Sequence, residues 1–133
     1  MLLTRRYRFS ASHRLHTSAI SEEDNRRLYG KCNNPYGHGH DYVLDVTIEG
    51  AVDDTGQVAN RDTLDNLVRA QVLSELDHKN LNEDRAEFRV SVPTTENLAT
   101  LVRDLLASKW NLGARLKAVR ISETERNAFT LHV

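Results

Sequence analysis

Residues 38–50 read HGHDYVLDVTIEG, and the alternation in this stretch decides how the rest of the chain is laid out. Tyr42, Leu44, Val46 and Ile48 fall at every second position, with Val43, Asp45, Thr47 and Glu49 between them. A side-chain period of two belongs to a β-strand with one face against a core. By the same parity His38 and His40 continue the apolar face. Asn33, Asn34, Pro35, Gly37 and Gly39 form a turn cluster that leads into the strand. Asp53-Asp54-Thr55-Gly56 predicts a hairpin turn after it, with residues 57–60 as a short return.

Upstream, residues 3–15 alternate in the same way. Tyr7, Phe9, Ala11 and His13 share one face, and Arg6, Arg8, Ser10 and Ser12 the other. Between the two strands, residues 18–30 are polar and predict a long loop with one helical turn begun by Ser21. From Asp62 the period becomes helical, with Leu64, Leu67, Val68, Val72 and Leu76 on one stripe. A second helix is expected over about 95–110, with Thr94 and Thr95 as N-cap candidates, a stripe of Leu98, Leu101, Val102, Leu105 and Leu106, and Gly113 as its stop. Two further strands follow over 116–123 and 128–133, with Asn127 in the turn. The order ββααββ predicts an α+β fold, a four-stranded antiparallel sheet with two helices packed on one face. Apolar residues on the other face and open sheet edges lead us to expect an oligomer.

A chain of 133 residues has room for one domain, expected to span 1–133. Lys and Arg total 18 against 19 Asp and Glu, a net charge of −1, so no positive field draws the protein to nucleic acid or an anionic membrane. No apolar run reaches the ~18 residues of a membrane span, and the first residues carry arginines where a signal peptide is apolar. A cytoplasmic protein is expected. The one cysteine, Cys32, cannot form an internal disulfide and is a free thiol.

His38 and His40, two residues apart on a strand, point to one side about 6.5–7 Å apart at Cα, a workable span for two ligands of one metal. His13 lies on the matching face of the neighbouring strand and can bring a third nitrogen. Three histidines with an open position form a catalytic zinc arrangement; two polar histidines with no metal are the plain alternative. His16 and His132 have no metal partner by spacing and read as solvated or structural. Asp77 directly precedes His78 at the end of the first long helix, which suits either a proton relay or a helix terminus that favours cations. Cys32 follows Lys31 in a polar loop and reads as a buried filler, a fourth metal ligand or a thiolate base. Glu123, at a strand end, is either solvated or the acceptor for two N–H donors of a guanidinium-like ligand such as a pterin.

FSASHRL at 9–15, KCNNPYGHGHDY at 31–42, LDHKNL at 76–81, TTEN at 94–97 and SET at 122–124 together resemble the 6-pyruvoyl-tetrahydropterin synthase family, and the match covers nearly the whole chain. The resemblance implies Zn2+ on His13, His38 and His40, Cys32 as the proton-abstracting base, and Asp77 with His78 as its relay. It implies Glu123 as the anchor of the pterin ring, with Thr94, Thr95 and Glu96 adding contacts. It also implies the tunnelling fold, in which trimers close a twelve-stranded barrel and pair into hexamers with active sites at subunit boundaries. The partner is then a small-molecule pterin triphosphate.

The expected reaction is loss of triphosphate from 7,8-dihydroneopterin triphosphate with internal rearrangement to 6-pyruvoyl-tetrahydropterin, a lyase reaction of tetrahydrobiopterin-type biosynthesis. The redox change stays within the substrate, and no dinucleotide fingerprint is present. Arg14, Lys31 and Lys79 are candidates to meet the triphosphate. Five residues separate Cys32 from His38, as in the pyruvoyl-forming branch; in the 6-carboxy-tetrahydropterin synthases of queuosine biosynthesis the cysteine usually lies closer. Tyr36 departs from the small polar residue expected at its place. The alternatives are the carboxy-forming reaction and a non-catalytic structural zinc module with Cys32 as fourth ligand.

Overall fold

The alternation at 38–50 becomes β2 (His38–Glu49), the central strand of a five-stranded sheet in the computed structural model, which describes residues 1–133. Its apolar side chains are shut from solvent, with Leu44, Val46 and Ile48 at 0% exposure. β1 (Leu2–His13) runs antiparallel along one side of it and β4 (Arg115–Thr124) along the other; β5 (Asn127–His132) pairs with β4. In this register His13 is the cross-strand partner of His38, and Ala11 that of His40.

The long helical stripe begins as α2 (Arg61–Val68), capped by Asn60, and passes through a π-helical turn (Arg69–Leu73) into α3 (Ser74–Leu76). Val68, Val72 and Leu76 repeat every four residues. On a helix of 3.6 residues per turn such a repeat drifts by about 40° per step, and the wider π turn takes up the drift and keeps all three buried. α5 (Thr95–Ser108) is capped by Thr94, whose hydroxyl accepts from the Asn97 N–H. It packs on β4 and β5, and Leu98, Val102 and Leu106 are fully buried. Each such leucine removed from water contributes about 1.5–3 kcal/mol, so this layer supplies much of the core's cohesion.

Several expectations are corrected. The sheet has five strands, because β3 (Lys79–Asn80) adds to β1 in parallel, giving the order β3-β1-β2-β4-β5. The loop over 18–30 holds a two-turn helix, α1 (Glu22–Tyr29), for which Ser21 is the cap and Glu22, Glu23 and Asp24 a favourable acidic first turn. A short helix, α4 (Leu81–Asp84), follows β3, so the order is not a plain ββααββ. The turn at 53–56 forms, closed by the Gly56 N–H on the Asp53 carbonyl, but no return strand follows it. α5 ends at Ser108, well before Gly113. The sheet's second face is mostly polar. There the Arg6 guanidinium grips Asp45 at 2.8 and 3.0 Å, and Arg120 approaches the same carboxylate at 3.6 Å. The pairing of β4 with β5 slips between Ser122 and Thr124, which leaves Glu123 as a bulged residue. No helix is long and apolar enough to cross a membrane.

Candidate active site

His13, the last residue of β1, and His38 and His40, the first turn of alternation in β2, bring their rings together at the end of the sheet. Their ring centroids lie 4.4 to 5.5 Å apart. Cys32 arrives from a 3₁₀ turn (Gly30–Asn33) that is strapped onto the chain just after His13. The Leu15 N–H donates to the Cys32 carbonyl at 2.7 Å, and the buried Asn33 amide donates to the Leu15 carbonyl at 2.7 Å. Asn33 also meets His16 Nδ1 at 3.1 Å, so His16 has a structural place. The Cys32 Sγ ends 3.0 Å from His38 Nε2 and 4.0 Å from His40 Nε2, and His38 Nε2 is 3.1 Å from His40 Nε2. One donor atom from each of His13, Cys32, His38 and His40 lies within 4.8 Å of the others.

The loop reaches this position through Gly37. Its φ of +71° is in the left-handed region, and a Cβ there would stand 2.7 Å from the His13 carbonyl oxygen.

His13 is the test of whether these residues suit a metal. It is 1% exposed, and its Nδ1 is 3.0 Å from the Tyr42 hydroxyl. Nδ1 is thus the engaged nitrogen, which leaves Nε2 as the atom free for another partner. That Nε2 is buried with no hydrogen-bond partner in the protein. A buried acceptor left unpaired is costly unless something binds it, and here it faces two other imidazoles and a thiol. The donor set of imidazole nitrogens and sulfur suits Zn2+ among the divalent ions.

Electrostatics agree. Burial, with the neighbouring His40 and His38, pushes His13 down to about 4, and burial also lowers His40. Both of these rings are therefore biased toward the neutral form, as metal ligands must be. Burial and the adjacent Glu123 carboxylate push the Cys32 thiol up to about 11. A cation at the cluster reverses that local balance and favours the thiolate.

Glu123 is brought to the cluster by its bulge. Its Oε1 is 2.7 Å from His40 Nε2, 3.6 Å from His13 Nε2 and 3.8 Å from Cys32 Sγ, and its side chain is 9% exposed. Thr94, Thr95 and Glu96 open α5 directly after Pro93. The Thr95 hydroxyl donates to Glu96 Oε2 at 3.1 Å and Thr95 itself is buried.

Asp77 and His78 are not brought to the thiol. Asp77 Oδ1 accepts the Ser10 N–H at 2.9 Å, and the His78 N–H donates to the Ser10 carbonyl at 2.6 Å, so both are tied to the outer edge of β1. The His78 ring is 83% exposed, 3.6 Å from the Asp77 carboxylate, on a backbone with φ of +60°. An open cleft of about 600 Å³ is lined by His78, Lys79, Asp41 and His40, but by neither Cys32 nor Glu123. Among the cations considered for triphosphate, the Arg14 Nε is engaged with the Asn33 carbonyl at 3.2 Å, and Lys31 is exposed. Tyr42 and Asn33 are the positions that sequence reading missed; for Tyr42 the signal was available, since it stands two residues past His40 on the same face.

Comparison with known proteins agrees with this architecture. The family model described as 6-pyruvoyl tetrahydropterin synthase matches residues 2–132. The 6-pyruvoyl tetrahydrobiopterin synthase of Poecilia reticulata is 46% identical over 94% of this chain and 85% of that protein, and the human one is 44% identical over 94% and 86%. The solved structure of Caenorhabditis elegans 6-pyruvoyl tetrahydropterin synthase superposes with a TM-score of 0.90 at 38% identity, covering all of this chain and 95% of that one. With the match running from the first strand to the last, through the histidines and the thiol loop alike, the chain belongs to the 6-pyruvoyl tetrahydropterin synthase family.

Proposed function

We infer that this protein is a zinc-dependent lyase that converts 7,8-dihydroneopterin triphosphate to 6-pyruvoyl-tetrahydropterin with elimination of triphosphate, in tetrahydrobiopterin-type pterin biosynthesis. The observation that carries it is the convergence of three imidazoles and a lone thiol within 4.8 Å of one another, with one buried nitrogen bare. Zn2+ on His13, His38 and His40 would act as a Lewis acid toward the substrate's side-chain hydroxyls, making the adjacent C–H protons more acidic. Cys32, 3.0 Å from one of those ligands, takes up these protons as thiolate. Glu123 offers its two carboxylate oxygens to the paired N–H donors of the pterin, with Thr94, Thr95 and Glu96 alongside.

Asp77 and His78 complete the proton relay from a neighbouring copy of the chain. Their exposure on the sheet edge supports this reading, and with it a homo-oligomer with sites at subunit boundaries, a hexamer built as a dimer of trimers on the tunnelling fold. One domain over 1–133 and a cytoplasmic setting complete the proposal.

Purified, zinc-loaded protein incubated with 7,8-dihydroneopterin triphosphate is expected to release triphosphate and give a product that keeps all its side-chain carbons. Absence of triphosphate release overturns the reading. A product that has lost side-chain carbon assigns the 6-carboxy-tetrahydropterin reaction instead. The closeness of Cys32 to His38 also favours a second reading, a purely structural zinc held by four residues. Under catalysis, Cys32→Ala keeps its zinc and melting temperature but loses turnover; under the structural reading it loses zinc and stability together.

A further inference from the structure

Glu123 is a largely buried carboxylate, its side chain 9% exposed, that faces the cluster of imidazoles and thiol. Its strongest interaction is the 2.7 Å contact of Oε1 with His40 Nε2; the other oxygen has only the Asn127 amide, at 3.3 Å. A divalent cation on the histidines takes the Nε2 lone pair of His40, and that nitrogen then has no proton to give to Glu123. The carboxylate would lose its main partner at the moment a cation arrives beside it. Removing the only short hydrogen bond from a largely buried charge is unfavourable unless another positive group takes its place.

Geometry supplies the replacement. Ligands held about 2.0–2.3 Å from one ion in tetrahedral arrangement stand roughly 3.3–3.7 Å from each other. Glu123 Oε1 lies 3.6 Å from His13 Nε2, 3.8 Å from Cys32 Sγ and 2.7 Å from His40 Nε2, beside donors that themselves stand between 3.0 and 4.8 Å apart, so a small rotation away from His40 brings it to ligand spacing. The bulge at Ser122–Thr124 aims it there.

We propose that Glu123 is an exchangeable metal ligand: in the substrate-free protein its carboxylate closes the coordination of the ion held by His13, His38 and His40, and an incoming pterin draws it away onto the ring's N–H donors. This rests on the zinc and pterin assignments above and adds a step to them. Coordination by Glu123 protects the open position from adventitious ligands until the substrate's own donors offer the carboxylate an equal partner. The exchange couples pterin recognition to opening of the metal site.

The test is zinc affinity of the substrate-free protein, measured by competition with a chromophoric chelator, for wild type, Glu123→Gln and Glu123→Ala. Both variants are expected to bind zinc at least tenfold more weakly than wild type, with the circular dichroism of the metal-free form unchanged. Adding neopterin, which lacks the triphosphate, is expected to weaken zinc retention less in the variants than in wild type. Zinc affinity equal to wild type in both variants overturns the proposal while leaving the pterin synthase reading intact; failure of wild type to bind zinc overturns the metal assignment itself.

Discussion

Tyr42 carries a hydroxyl to the point where the apolar face of β2 gives way to histidines, and that hydroxyl meets His13 Nδ1 at 3.0 Å. Its ring stacks on Phe9 with centroids 5.0 Å apart, so packing holds the phenol in place and the hydroxyl in turn orients the imidazole. Outer partners of this kind are worth about 10–100-fold in metal affinity. Tyr42→Phe keeps the stack and removes only the oxygen; it should lower zinc affinity by about tenfold, and a chelator titration checks it. Gly37→Ala should do worse. The added methyl meets the His13 carbonyl at 2.7 Å on a backbone of φ +71°, where a non-glycine residue costs about 1–2 kcal/mol before any clash. We expect a melting temperature several degrees lower and reduced zinc content, both measurable on one sample. His13 also sets a pH limit. Its value of about 4 in the fold lies below the ordinary 6.5, so below 6.5 the unfolded chain binds a proton that the fold refuses. Stability of the metal-free protein is therefore complete above pH 6.5 and falls as pH drops toward 4, by up to about 3 kcal/mol from this residue. Urea titrations of the metal-free form at pH 7 and pH 5 test the sign.

At the scale of elements, the regular pieces were legible because they obey a period: Tyr42 to Ile48 alternate, Leu98 to Leu106 form a helical stripe, and both pack into the core, with Leu105 alone of them partly buried. The convergence of His13, His38 and His40 was legible for the same reason, since parity put them on one face of paired strands. What escaped has no period. The bulge that turns Glu123 inward arises from how β5 meets β4, the parallel contact of Lys79 and Asn80 with β1 is two residues long, and α1 has no apolar stripe to announce it. The connection from α3 to β3 shows the cost of one such irregular piece. His78 sits at φ +60°, held by its N–H on the Ser10 carbonyl and by Asp77 on the Ser10 N–H. Strain kept at a solvent-exposed imidazole fits the proposed relay, which needs the ring there and not its packing. His78→Gly is accordingly expected to raise stability by up to about 1 kcal/mol while abolishing most turnover, an outcome that calorimetry and triphosphate release read separately.

The whole molecule divides the groups proposed to react between two places. The thiol, the three histidines and Glu123 gather on the helix-bearing side at the sheet's end, whereas Asp77 and the 83% exposed His78 stand on the outer edge of β1. If a site takes its thiol from one copy and its relay from another, two dead variants can repair each other. Cys32→Ala lacks the thiol but still offers His78; His78→Ala offers the thiol but lacks the relay. In a randomly mixed oligomer a site needs its thiol from the second variant and its relay from the first, a chance of about one half for each, so roughly a quarter of sites are whole. Co-expressing the two variants and purifying the mixed assembly should therefore recover about a quarter of wild-type triphosphate release, well above either variant alone. Were Cys32 and His78 to act within one chain, no mixed site would hold both groups, and the mixture would show only the average of the two inactive parents.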